Sequence, residues 1–252
     1  MGAGGGKLGK QPTPSAQFGD FILSLPELTP AFILRRNAYR DTSLLLDMFT
    51  REAGKITCVA KFTKGKGSRT KGMLEPFRLL DASWTGRGEV FTLFHADETR
   101  RYPLKGAGLI RALYANELLL RGLWQHQPQP ELFDHYQRTL TRLLDPTDSL
   151  VLPLFELDVL AMAGYVLNLW YDDADGHDIV PLVRYRFRPE HGLYPDAGEG
   201  KGIPVSGSLL IALRKPEAMS AEQRKELRHT LDHLIQMLLK GKTLNARQLL
   251  NE

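Results

Sequence analysis

Between Glu52 and Glu75 the chain carries six basic residues (Lys55, Lys61, Lys64, Lys66, Arg69 and Lys71) and no acidic one. The densest part, KFTKGKGSRTK at 61–71, adds glycines at 65 and 67 and the hydroxyls of Thr63, Ser68 and Thr70. Lysine, arginine and hydroxyl groups donate hydrogen bonds to phosphate oxygens, and glycine lets the backbone come close. A patch of one sign at this density attracts polyanions and releases their counterions on binding. The chemistry is therefore recognition of a phosphate backbone, steeply dependent on salt and nearly blind to base sequence. Phe62, Phe77, Trp84 and Phe91 lie nearby as candidate base stackers, although aromatic residues at strand spacing usually belong to a core.

Other residue groups carry less. Gly241-Lys242-Thr243 has the ending of a phosphate-binding P-loop, but Gln236 stands where the first glycine is required and the segment before it reads as helix. Asp172, Asp173, Asp175 and Asp178 with His177 start like a calcium loop but lack the closing glutamate, so an acidic surface loop is expected. A metal-dependent nuclease built on that cluster is the third-ranked function. The only cysteine, Cys58, alternates with apolar neighbours and reads as core rather than nucleophile. Glu117 and Glu156 sit in apolar helical segments and are read as structural pairs or caps. No G-x-S-x-G elbow occurs, and the chain is not expected to be an enzyme.

The elements that would position the basic stretch are short strands. Residues 31–36 and 43–50 are candidates, followed by a turn at Ala53-Gly54 and an alternating strand from Ile56 to Phe62. Gly86-Arg87-Gly88 reads as a tight hairpin between 79–84 and 89–95. About five strands in this space point to a five-stranded oligonucleotide-binding (OB) barrel. The second half changes period. Residues 109–124, 132–144 and 151–171 read as helices, the last closing near Gly164. Ser220 and Gln223 form a capping box for a helix with a leucine stripe from Leu227 to Leu239, stopping at Gly241. Residues 172–207 read as an irregular insertion with one strand at 182–187.

The expected fold is α+β: an extension at 1–30, an OB domain at 31–105 and an all-α domain at 106–252. Charge divides the same way, with 15 Lys+Arg against 8 Asp+Glu in 31–105 and 16 against 19 in 106–252. One cysteine in 252 residues excludes a disulfide framework and fits a reducing cytoplasm. The apolar run 151–171 contains Pro153, Glu156 and Asp158, so it reads as a buried helix and not a membrane span.

At several of these residues the chain resembles the RecO family, bacterial mediators of DNA repair and recombination. The resemblance rests on Arg36, Tyr39, Asp41 and the run Ser43 to Thr50, then Glu52, Gly54-Lys55, Ala60-Lys61, Lys71-Gly72, Pro76-Phe77 and Gly86 to Glu89. It continues through Leu113-Tyr114, Asn116 to Leu118, Phe155-Glu156, Gly164-Tyr165, Gly241-Lys242, Leu244 and Arg247. It implies binding of single- and double-stranded DNA, annealing of complementary strands, and no ATP hydrolysis. The implied partners are RecR and the single-strand DNA-binding protein, so that RecA is loaded onto coated strands. A nucleoid-associated cytoplasmic location follows. Many members hold zinc with four cysteines in the region equivalent to 172–195; none stands there here, so the zinc-free branch is the match and neither metal nor cofactor is expected.

The candidate DNA-binding residues are Arg36, Lys55, Lys61, Lys64, Lys66, Arg69, Lys71 and Arg87. Lys240, Lys242 and Arg247, beside the leucine stripe, are the candidate seat for the acidic, apolar tail of the single-strand-binding protein. The alternative function is a protein adaptor whose helical half recruits partners while DNA contact is secondary.

Overall fold

The computed structural model describes residues 1, 27–62, 72–145, 147–198 and 200–250. Five strands, β1 (Thr29–Tyr39), β2 (Ser43–Thr50), β3 (Gly54–Lys61), β4 (Arg78–Thr85) and β5 (Val90–Arg101), close into a barrel in the order β1-β2-β3-β5-β4. Closure leaves no sheet edge around the ring except where strands outrun their partners. The β3–β5 pairing is parallel and short, Thr57↔Val90 to Val59↔Thr92. Alternation puts Ile33, Leu46, Met48, Ile56, Cys58 and Leu80 inside the barrel, all fully buried. The expected strands and the Gly86–Gly88 hairpin are present, with β1 running three residues further than its apolar pattern.

The second half opens with α1 (Gly106–Gly122), α2 (Pro130–Arg142) and α3 (Val151–Met162). The last is shorter than its apolar run: the chain turns at Gly164, whose φ of +87° suits glycine, and continues without helix through 165–171. None of the described helices is long and apolar enough to cross a membrane. A short helix α4 (Gly207–Ala212) precedes α5 (Ala221–Leu238), which begins at the expected capping box of Ser220 and Gln223.

The segment read as irregular is more ordered than its sequence indicates. Strands β6 (Arg184–Arg188), β7 (Gly192–Pro195) and β8 (Ile203–Ser206) form an antiparallel sheet in the order β7-β6-β8. Two of its strands have only four residues, one ending at Pro195 and the other containing Pro204, too little for a period-two pattern to stand out. The sheet buries Tyr185, Phe187, Leu193, Ile203 and Val205 in the same core as the helices.

That core also joins the two halves. Phe32 and Phe49 of the barrel pack against Phe133 and Tyr136 of α2, with ring centroids 5.0–6.4 Å apart. Polar contacts fix the orientation. Asn116 donates to the Leu34 carbonyl at 3.1 Å and accepts from the Tyr136 hydroxyl, and Arg51 meets Asp134 through two 3.0 Å bonds. Gly54 is required here, because a Cβ at that position would lie 2.0 Å from the Gln127 carbonyl oxygen.

Candidate nucleic-acid interface

Strand register decides which basic residues meet. Tyr39 pairs with Ser43 and Ser43 with Lys61, so the β1–β2 turn and the end of β3 form one end of the barrel. Phe62 donates its N–H to the Thr42 carbonyl at 2.9 Å, which ties the start of the basic stretch to that turn. Lys61 is exposed there beside exposed Arg40, whose guanidinium lies 5.2 Å from the Tyr39 ring centre. Arg40 has φ 54°, a left-handed conformation imposed by the tight turn. Neither Lys61 nor Arg40 has an ion-pair partner among the described residues. Lys64, Lys66, Arg69 and Lys71 lie outside the described residues, in the segment that follows Phe62 in sequence.

Arg36 is close by but partly engaged, with its guanidinium 2.6 Å from Glu75 and donating to the Leu74 carbonyl at 3.3 Å. Arg87 is exposed at the opposite end. Because β5 runs parallel to β3 from the level of Thr57, the hairpin tip before Val90 points toward Gly54, whereas Phe94 lies toward Lys61.

Lys55 is placed differently from the other candidates. It is only 8% exposed and donates to the Leu120 carbonyl at 2.7 Å, at the C-terminal turn of α1. Burial lowers its pKa, Asp47 opposes that shift and Arg35 adds to it. Its ammonium serves the barrel–helix junction, where the negative end of a helix dipole favours a cation. From sequence it counted with the basic stretch because its neighbour α1 lies 65 residues further along the chain.

The aromatic candidates also separate. Phe77 is buried in the joint core, while Trp84 and Phe91 are half-buried with centroids 6.5 Å apart. Phe94, which sequence reasoning passed over, is 59% exposed and on the Lys61 side. Arg40 was also missed. Arg40 stands first in the three-residue turn 40–42 and Phe94 lies out of phase with the inward Phe91 and Leu93; strand register brings both to the Lys61 end.

The second candidate cluster lies where α5 ends. Lys240 and Lys242 rim a hollow of about 320 Å³ floored by Leu123, Leu238 and Leu239, with Arg121 and the 65% exposed Trp124 completing it. Arg247 borders an adjoining hollow of about 300 Å³ and is ion-paired to Asp232.

The residues considered for catalysis have structural partners. Glu156, fully buried in α3, accepts from the Tyr114 hydroxyl at 2.6 Å and lies 2.8 Å from the Arg228 guanidinium. Burial raises its pKa against the pull of Arg228. Glu117 holds Arg121 and accepts from the Ala246 N–H at 2.8 Å, tying down the C-terminal 3-10 turn Asn245–Leu250. Asp172 accepts from the N–H groups of Ala174 and Asp175 at 3.0 and 2.8 Å, and Asp173 from that of Leu193 at 2.7 Å. Among the described residues no three His, Cys, Asp or Glu side chains converge on a metal position. Burial pushes the Cys58 thiol up to about 12.

Comparison with known proteins agrees with this layout. The family described as "Recombination protein O N terminal" matches residues 26–100, and its C-terminal counterpart matches 106–248. A protein named DNA repair protein RecO from Alkalilimnicola ehrlichii is 37% identical over 238 residues, covering 92% of each chain. One of the same name from Nitrosospira multiformis is 35% identical over 232 residues, covering 90% of this chain and 95% of its own. With both halves matched and identity of this level over nearly the full length, the chain belongs to the RecO family.

Proposed function

We propose that this protein acts in DNA repair and recombination as a nucleotide-independent mediator that binds single- and double-stranded DNA and anneals complementary strands. The observation that carries this reading is the Lys61 end of the barrel, in a chain of the RecO family. There, cations without an ion-pair partner among the described residues, a turn, the half-buried Tyr39 ring and the exposed Phe94 ring stand where the Gly- and Lys-rich segment begins. Arg40, Lys61 and the basic residues of 64–71 neutralise phosphate repulsion between strands, while Phe94 and Tyr39 offer ring faces to unstacked bases. No step requires a catalytic residue.

The partner reading follows from the second cluster. An acidic, apolar peptide end, such as the tail of the single-strand-binding protein, suits leucine-floored hollows rimmed by Arg121, Lys240 and Lys242. Through that contact and through RecR the protein helps load RecA onto coated DNA in the cytoplasm. The same hollows favour the adaptor alternative, in which recruitment persists when the barrel no longer touches DNA.

The deciding experiment times annealing of two labelled complementary oligonucleotides by energy transfer, in EDTA and without ATP, at rising salt. Acceleration at low salt that fades at high salt is expected. Reversing the charge of Lys61, Lys64, Lys66, Arg69 and Lys71 together should reduce the slope of log affinity against log salt by about 3.5 for single strands. An unchanged slope removes the basic stretch as the main contact. A folded protein that never accelerates annealing, yet still captures the peptide tail, selects the adaptor.

A further inference from the structure

We propose that the solvent face of the β6–β7–β8 sheet is a second binding site for a nucleic-acid backbone, so that one chain holds two strands at once. This rests on the strand-annealing reading above and adds to it where the second strand sits.

Strand β6 reads Arg-Tyr-Arg-Phe-Arg. Tyr185 and Phe187 are buried, 2% and 1% exposed, so alternation sends Arg184, Arg186 and Arg188 to the opposite face. Successive arginines on that face are about 7 Å apart, a spacing comparable to that of successive phosphates along one strand. Tyr194 of β7 lies directly across from Arg186, and the Arg188 guanidinium sits 5.0 Å from its ring centre. Arg188 is also held by its Nε–H bond to the Lys201 carbonyl at 2.7 Å, which fixes its direction without neutralising its charge. Arg186 is paired with Asp196 at 2.7 Å. Arg184, Arg188 and Lys201 have no ion-pair partner among the described residues.

The face continues into a groove of about 450 Å³ between β8 and α5. Arg184 shares it with Lys225, His229 and His233. Glu226 there accepts from the Ser206 N–H and hydroxyl, both at 2.8 Å, and Glu222 from the Ser220 hydroxyl at 2.9 Å; these neutral donors leave both charges in place to balance Arg184 and Lys225, so the excess positive charge lies on the strand face and not in the groove. This basic face therefore stands out locally in a half whose overall balance is acidic. A peptide strand is a poor fit for the same place, because the outer edge of β8 presents Pro204, with no N–H, and a Ser206 N–H already taken by Glu226. A phosphate backbone needs no such edge. The physical gain is for annealing: two polyanions brought to one patch repel, whereas two patches without a common residue hold both until bases pair.

The test counts strands per chain by stoichiometric titration with a short labelled oligonucleotide at low salt. It then times annealing for the parent protein, R184E/R188E and R184Q/R188Q, with circular dichroism confirming fold. The parent should take two strands per chain and each variant one. Annealing by the variants should slow about tenfold, while affinity for the first strand changes less than about twofold. The glutamine pair keeps donors at both positions, so it gives the answer if the charge-reversed pair does not fold. One strand per chain in the parent, or unchanged annealing in a folded variant, overturns the second site and leaves the mediator reading intact. Two strands per chain without any annealing keeps the site and removes the reading.

Discussion

Two regions of this molecule, the Lys61 end of the barrel and the packed junction of α1, α3 and α5, use the same charged residue types in opposite ways. In the barrel the cations at the β1–β2 turn and the end of β3 have no ion-pair partner among the described residues, and their charge faces solvent. In the helical half Glu156 holds Arg228, Asp232 holds Arg228 and Arg247, and Glu117 holds Arg121. An unpaired surface cation costs little and is free to meet a ligand, whereas a buried charge must be paired or it destabilises the fold. Charge density alone therefore does not mark a binding site; charge without a partner does. In the second half the arginine face of the small sheet and the Lys240–Lys242 rim follow the barrel's pattern, since Arg184, Arg188, Lys240 and Lys242 have no ion-pair partner among the described residues.

The largest expected effect breaks the paired side of this comparison. Glu156→Ala leaves Arg228 and the Tyr114 hydroxyl facing a vacated carboxylate position. Because Arg228 keeps partial access to water, we expect a loss of about 2–4 kcal/mol in urea unfolding, with DNA affinity of the folded fraction unchanged. A loss below about 1 kcal/mol would mean that the buried pair contributes little beyond its packing.

The next pair sharpens the contrast within a single strand. Lys61→Met should lower the salt slope of single-strand binding by about 0.7 and leave stability unchanged. Lys55→Met should do the reverse, leaving the slope alone while shifting stability by about 1 kcal/mol, since the Leu120 carbonyl loses its donor. If both variants alter the slope equally, Lys55 reaches DNA despite its burial.

Cys58 reports on the barrel itself. With its thiol pushed up to about 12, alkylation at pH 8 should run about a thousandfold slower than for a free cysteine. Rapid labelling in native buffer would show that the barrel opens readily.

The smallest effect concerns the acidic loop. The N–H of Asp175 first, and that of Ala174 as well, holds the Asp172 carboxyl below its ordinary pKa. Its contribution is then fully present above the ordinary carboxylate range and lost as pH falls through the lowered value. Asp172→Asn should cost about 1 kcal/mol near neutral pH and flatten the acid limb of the stability curve, as read by thermal melts from pH 7 to 3. Retention of the full acid limb would assign it to other carboxylates.

Much of this architecture was legible from local pattern. Strand alternation from Leu44 to Ala60, the hairpin glycines 86 and 88, the Ser220 capping box and the leucine stripe of α5 all depend on residues within a few positions of one another. The small sheet was not legible, because strands of four and five residues carry too few alternations and gain their order from the helical core beneath. The candidate site divides in the same way. Lys61 and its basic neighbours were visible as a run of one sign, and Arg40 and Phe94 join them only through strand register.

By itself the sequence determined two charge-distinct halves, a five-stranded pattern followed by helices, and a dense basic segment between two strands. Those follow from period, turn chemistry and composition, which act over short distances along the chain. Tertiary structure alone decided which charges are free. It buried Lys55 against the end of α1, paired Arg228 with Glu156 across 72 residues, and aligned Arg184, Arg186 and Arg188 on one open face. Whether a charge is available depends on what folding brings within a few ångströms of it, and in this chain those neighbours are distant in sequence.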